Sequence, residues 1–258
     1  MTQVNPNAAI KMRYEREIKK LVNRMTVATE RELSALLSSR LAQKYFKTAE
    51  DSKKNQSLST KAKIALTILL LKFQLLFNRK SKILAKSMIG SIEKYVSATI
   101  RRSLLDLTGK KFNTGVLSKV GKTRSQAIIT ENISLIKNIP QQYFTQLTST
   151  VMEAIATGQT EQLQEQIVKH GRVSVKRALA IAEDQTHKAT QIVAMQKLLD
   201  QGFNRFRWVY TYRSKEPRLY HVKRNGNIYS FDNLPGGELP SVPYNCKCKI
   251  GVVAEWEK

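Results

Sequence analysis

From Val173 to Gln201 the chain reads VSVKRALAIAEDQTHKATQIVAMQKLLDQ, and from Phe203 to Arg213 it reads FNRFRWVYTYR. The first run contains no Gly or Pro and predicts one helix, closed by Gly202 at the C′ position where a left-handed backbone is wanted. In the second, Phe206, Trp208, Tyr210 and Tyr212 alternate with Arg207, Val209, Thr211 and Arg213, the period of a half-buried strand. Period 3.6 therefore gives way to period 2 near Gly202. Downstream, His221–Phe231 (HVKRNGNIYSF) sets Asn225-Gly226 between two extended runs, which suits a type I′ hairpin turn, and Ile250–Val253 supplies a further short strand. The fold expected is mainly α, with long helices followed by a small α+β carboxy-terminal domain built on an antiparallel sheet with a hairpin.

Upstream, helical periodicity dominates. Between Ala8 and Lys47, Ile18, Leu21, Val22, Met25, Leu33, Leu36, Leu37, Leu41 and Tyr45 recur at helical spacings, with Arg13, Lys20, Arg24 and Arg31 as a basic stripe opposite. The polar stretch 50–60 ends that helix. A second helix is predicted over Ser59–Leu107, buried all round between Ile64 and Phe77 and amphipathic afterwards. Others are predicted over Thr123–Asn138, Gln141–Ala156 and Thr160–Lys169, the first two separated by Pro140. The predicted division is a basic helical region, residues 1–170, and a helix-plus-sheet domain, 171–258.

Composition narrows the function. The 258 residues carry 44 Lys and Arg against 20 Asp and Glu, a formal net charge of +24, and 41% are hydrophobic, enough for a core. Two cysteines, Cys246 and Cys248, cannot staple a chain of this size and fit a reducing compartment. Met1–Asn7 is polar and the next residues are basic, so no export signal is expected. The most apolar stretch, Ile64–Phe77 (IALTILLLKFQLLF), is interrupted by Lys72 and is shorter than the roughly 20 residues of a spanning helix, so a membrane is not the expected partner.

The charge is uneven. Residues 51–150 hold 18 Lys and Arg against 4 Asp and Glu, whereas 151–200 hold 6 of each. Such a concentration suits the phosphates of double-stranded DNA, bound without base reading. The loop after Gly109 carries Lys110, Lys111, Lys119, Lys122 and Arg124, the expected nucleic-acid contacts. His170, His187 and His221 form no catalytic spacing with Ser or Cys, and no phosphate loop, paired metal carboxylates or HExxH motif is present; no enzymatic activity is expected. Cys246 and Cys248 lie two apart, on one face of an extended segment, and with His221 offer three ligands for zinc; a strained disulfide and packed thiols are the alternatives.

The order Ile181-Ala182-Glu183-Asp184-Gln185-Thr186, Gly202, Trp208, Arg218 three before His221, Gly226 five after it, Phe231-Asp232 and Asn245-Cys246-Lys247-Cys248 resembles the phage Mu F-like family of head morphogenesis (minor head) proteins, over roughly residues 172–253. The resemblance implies a structural protein of a tailed phage. It would be made in the host cytoplasm and carried in the virion, inside the capsid near the portal vertex, with the portal protein, the major capsid or scaffolding protein and packaged DNA as partners. Genome packaging and ejection would be its setting. Trp208, Arg218, His221, Gly226, Asn245, Cys246 and Cys248 would then be a fold signature. Some relatives have Cys-x-x-Cys where this chain has Arg218 and His221, which with the terminal pair makes four thiolates for zinc; here His221, Cys246 and Cys248 remain. The alternatives are a membrane-active DNA-ejection protein and a nucleic-acid-processing enzyme carrying the same domain.

Overall fold

The computed structural model describes residues 2–38, 52–159, 162–211 and 217–254, with backbone alone for 52–57. The expectations at Leu41, Tyr45, Tyr212 and Arg213 fall outside the described residues. In chain order the elements are α1 (Ala8–Leu37), α2 (Ser52–Thr108), α3 (Lys119–Lys137), α4 (Ile139–Thr157), α5 (Leu163–Leu199), β1 (Arg205–Val209), the short helix α6 (Leu219–Arg224), β2 (Ile228–Ser230), a 3-10 turn (Pro235–Gly237) and β3 (Lys249–Val252). The chain is mainly helical with one small antiparallel sheet, as its periodicity predicts. No helix among the described residues is long and apolar enough to cross a membrane.

Local chemistry sets the boundaries. Asn7 caps α1, its Oδ1 accepting the Ile10 N–H at 3.1 Å. Pro140 sits in the first turn of α4, where its missing N–H costs nothing. Helix α5 ends as expected: Gly202 takes φ +85°, its N–H donates to the Leu199 carbonyl, and the Phe203 N–H reaches back to Leu198, which together form a Schellman cap.

Four expectations change. The two helices predicted over Thr160–Lys169 and Val173–Gln201 are one, α5, and the expected division after residue 170 falls inside it. Gly171 is no break; a Cβ there would stand 2.5 Å from the Thr26 side chain, so glycine permits a close approach of helices. Helix α3 begins at Lys119, so only the first part of the basic stretch is loop. The stretch Ile64–Phe77 buries Leu66, Leu69, Phe73 and Phe77, but Ile64, Ile68, Leu71 and Leu75 are all more than half exposed, because this helix is covered on one side only. Finally, Asn225-Gly226 is not a type I′ hairpin turn. Leu219–His221 starts a short helix, and Asn225 (φ −58°, ψ 130°) followed by Gly226 (φ +83°) makes a type II turn, closed by Asn227 N–H to Arg224 carbonyl at 3.1 Å.

The chain divides into two compact units. One comprises Glu15–Ile83 and Ile133–Ile181 and is wholly helical among its described residues. Its core is drawn from Ile18, Val22 and Met25 of α1, Phe73 and Phe77 of α2, Phe144 and Leu147 of α4, and Ile167 of α5, with Phe73 and Phe144 stacked at 6.3 Å. The basic side chains Lys20, Arg24 and Arg31 face solvent, Lys20 paired with Glu17 at 2.9 Å.

The other comprises Met1–Tyr14, Leu84–Asn132 and Ala182–Lys258 and holds the sheet, in the order β2-β1-β3, antiparallel throughout. Phe206 and Trp208 are fully buried while Arg207 and Val209 are not, the alternation read from the sequence. The first residues of the chain extend this unit beside β3: Val4 N–H donates to the Ile250 carbonyl, and Val252 N–H to that of Thr2, each at 3.0 Å. Gln191, buried on α5, completes the arrangement. Its Nε2 donates to the Val4 carbonyl and its Oε1 accepts the Ile250 N–H, both at 2.8 Å. Replacing Gln191 with Leu strands both backbone groups in the interior. At about 1–3 kcal/mol for each unsatisfied group, Gln191→Leu should lower unfolding stability by roughly 2–6 kcal/mol; an unchanged urea midpoint would show that this side chain does not hold the terminal strands together.

Candidate functional site

Helix α6 begins where Arg218, in extended conformation, hands the chain into Leu219. One helical turn then puts His221 inward, 2% exposed. From the other side comes the segment before β3, in which alternation places Cys246 and Cys248 inward, 3% and 2% exposed. His221 Nδ1 lies 3.6 Å from each sulfur, and the three ligand atoms are all within 4.8 Å of one another. The neighbouring turns are pinned to backbone groups. Ser241 Oγ donates to the Cys248 carbonyl at 2.6 Å, Thr211 Oγ1 to that of Lys247 at 2.8 Å, and Arg218 Nη2 to that of Tyr244 at 2.9 Å.

The other ring nitrogen of His221 is 3.1 Å from Glu238 Oε2. A carboxylate accepts there, so Nε2 carries the hydrogen and Nδ1 turns a lone pair toward the sulfurs. Glu238 also accepts from Arg224 Nη1 at 2.7 Å, and the Arg224 guanidinium stands 5.0 Å over Trp208 and 4.9 Å over Tyr220. Burial raises the Glu238 carboxyl, but the hydrogen bonds from Arg224 and His221 and the Arg224 charge outweigh it and hold the group below its usual range. Trp208, from β1, meets the His221 ring edge to face at 5.1 Å. The hydrogen bond from Cys248 draws the Cys246 thiol down, while that bond and burial push Cys248 up.

These distances can be compared with a metal's demands. Zn–N of about 2.0–2.1 Å and Zn–S of about 2.3 Å at tetrahedral angles put nitrogen and sulfur about 3.6 Å apart. That is the separation between His221 and each cysteine. The Glu238 contact is the outer carboxylate that metal-bound histidines ordinarily have. Three positions of a tetrahedral site are thus provided, and among the described residues no fourth His, Cys, Asp or Glu joins them.

The remaining motif residues surround this knot. Gly226 N–H donates to the Trp208 carbonyl at 2.8 Å, and Trp208 N–H to that of Asn227 at 2.9 Å, so the type II turn is stitched to β1. Asn245, at φ +57°, offers its N–H to Asp184 Oδ1 at 2.7 Å, and Lys247 Nζ lies 3.2 Å from Glu183 Oε1. Glu183 and Asp184 of α5 therefore engage the Asn-Cys-Lys-Cys segment directly. Glu238 and Arg224 were not among the residues singled out from the sequence. One signal was available: Glu238 is the sole acidic residue between Asp232 and Glu255.

The basic residues after Gly109 lie elsewhere. Lys110, Lys111, Lys119 and Lys122 are exposed, but Arg124 is half-buried and donates to Gln196 Oε1 at 2.7 Å, which makes it part of the framework. Arg101 and Arg102, exposed near the end of α2, line a concavity of about 760 Å³ with Lys111 and extend the positive surface. Their adjacency at the end of a helix was the cue.

Comparison with known proteins bears on the knot. Residues 145–251 match the family model described as Phage Mu protein F like protein. That segment contains every residue of the knot and agrees with the resemblance read from the motifs. An uncharacterized protein of Haemophilus influenzae is 27% identical over 240 residues, covering 91% of this chain. The chain spans about half of that relative's length. No solved structure matches. Within the Mu F-like segment Gly226 holds a left-handed backbone that disfavours any side chain. Gly226→Ala should cost about 1–2 kcal/mol through the positive φ alone, since a Cβ there meets nothing within 4 Å; thermal unfolding unchanged by the substitution would remove the turn from the structural account.

Proposed function

We propose that this protein is a structural head-morphogenesis protein of a tailed phage, a minor head protein held inside the capsid near the portal vertex. The observation that carries the reading is that three of the motif residues inside the Mu F-like match, His221, Cys246 and Cys248, converge on a knot closed to solvent, each at most 3% exposed. Residues so enclosed determine a fold; they do not meet a substrate. The portal protein and the major capsid or scaffolding protein are the proposed protein partners, and the role is not enzymatic. Detection of the chain in purified DNA-filled heads is the direct test, and its absence from them would overturn the assignment.

The proposed contact with packaged DNA is through phosphates. Lys110, Lys111, Lys119 and Lys122 supply an exposed cationic run in a chain of net charge +24. Counterion release makes such binding steeply dependent on salt and indifferent to sequence. Replacing these four lysines with Gln, leaving Arg124 in place because it holds Gln196, should reduce the slope of log affinity against log salt by about 0.9 for each lysine that meets a phosphate. Titration of a duplex of arbitrary sequence at several salt concentrations measures this. An unchanged slope would mean that the run faces something other than DNA.

Zinc is the proposed occupant of the knot, bound by His221 Nδ1 and the two thiolates with Glu238 orienting the ring. Its role there is structural. Protein prepared without an affinity tag should contain stoichiometric zinc that Cys246→Ser removes, with a fall in thermal stability. Metal-free protein that melts like its Cys246→Ser variant would show that the thiols merely pack.

A further inference from the structure

A cleft of about 1040 Å³ lies in the sheet-containing unit, between the start of α1, helix α5 and the segment that leads into β3. Its charged lining is one-sided: Lys11, Arg218, Lys247 and Lys249 against a single carboxylate, Glu183. The cations are held in place. Lys247 Nζ sits 3.2 Å from Glu183, Lys249 Nζ donates to Asn5 Oδ1 at 2.6 Å, and Arg218 is anchored on the Tyr244 carbonyl. Ala8, the first residue of α1, is also in the wall, so the positive end of that helix dipole adds to the field.

His187 registers that field. It lines the cleft, and its pKa is lowered to about 4, first by burial and then by Lys247, with Lys11 and Lys249 acting in the same direction against Glu183. Its Nδ1 is closed to solvent yet has no hydrogen-bond partner among the described residues. At the rim, Tyr244 is 75% exposed, an unusual position for a large aromatic ring. A cation-lined concavity with an aromatic platform at its edge is the combination that holds a phosphate and stacks a base. Its volume is that of a small-ligand pocket.

We propose that this cleft is a nucleotide site, in which Lys11, Arg218 and Lys249 bind the phosphate, Lys247, its Nζ closed to solvent beside Glu183, adds its charge from behind, and Tyr244 stacks the base. The ligand is a free nucleotide or the phosphorylated end of a nucleic-acid strand, which share this chemistry. The site does not depend on the duplex contacts proposed above, with which it has no residue in common.

Calorimetric titration of the full chain with inorganic phosphate, adenosine, AMP and a hexanucleotide with or without a 5′ phosphate tests it. AMP should bind at least tenfold more tightly than either phosphate or adenosine. Tyr244→Ala should weaken AMP about tenfold and leave inorganic phosphate unchanged, and Lys11→Glu should weaken both. Lys249→Gln is the second cation variant, should Lys11→Glu disturb folding as judged by circular dichroism. A 5′-phosphorylated hexanucleotide that outcompetes AMP identifies the strand end as the source; parity identifies the free nucleotide. Failure of all the phosphorylated probes to bind, binding indifferent to both cation variants, or a poly-glutamate peptide that binds as well as AMP would overturn the proposal.

Discussion

Buried polar side chains around the carboxy-terminal half of α5 have to be satisfied, and that requirement organises the unit that carries the sheet. Gln185, Gln191 and Lys197 are each at most 1% exposed, where an unmet donor or acceptor costs more than the bond itself is worth. Gln185 exchanges hydrogen bonds with Asn132 at 2.7 Å and Glu131 at 3.0 Å, and Asn132 in turn accepts from Tyr14. Gln191 ties residue 4 to β3. Lys197 Nζ donates to the Thr114 carbonyl at 2.6 Å and fixes the chain between α2 and α3. Three side chains on one helix thus set where the amino terminus, the last strand and an interhelical loop go.

This dependence explains how much was legible in advance. Elements whose signal is local were read well: the α5 cap at Gly202, the alternation of Phe206, Trp208 and Tyr210, the helix break at Pro140. The long-range pairings were not. Residues 2–4 carry no strand signal and become extended only because Gln191 and β3 offer partners. The two helices predicted on either side of Gly171 are one, because a glycine that breaks a helix and one that admits a neighbour look alike in sequence. Asn225-Gly226 supplied the positive φ foreseen, but the residues before it coil into α6 because His221 has to turn inward, so the turn is type II. Ile64–Phe77 was expected to be buried all round, because apolar content reports how much surface a helix prefers to cover and not how many neighbours it has.

Of the candidate site, His221, Cys246 and Cys248 could be chosen from their chemistry, and the structure brings them together. Their partners were hidden for a physical reason. Arg224 and Glu238 are ordinary surface residue types, and only the fold carries them, 14 positions apart, into the shell around an imidazole. Gly236 belongs to the same logic: with φ +62° and the Arg224 guanidinium 2.6 Å from where a Cβ would stand, it leaves the room in which that side chain crosses Trp208 and reaches Glu238. A family motif that looks scattered along the chain is therefore a single packing problem around two rings and two sulfurs.

The tripeptide Cys246-Lys247-Cys248 links that packing problem to the charged surface. In an extended segment successive side chains point to opposite sides, so both thiols facing His221 oblige Lys247 to face away, toward Glu183 and the cleft. A single intervening residue is what this requires. Two would put the thiols on opposite sides of an extended chain, and a zinc knuckle with that spacing has to turn tightly to bring them back. The one-residue spacing, which looked like a departure from the usual metal motif, lets the same three residues close the interior knot and present a cation at its back, so whatever holds the sulfurs in register also holds Lys247 in place.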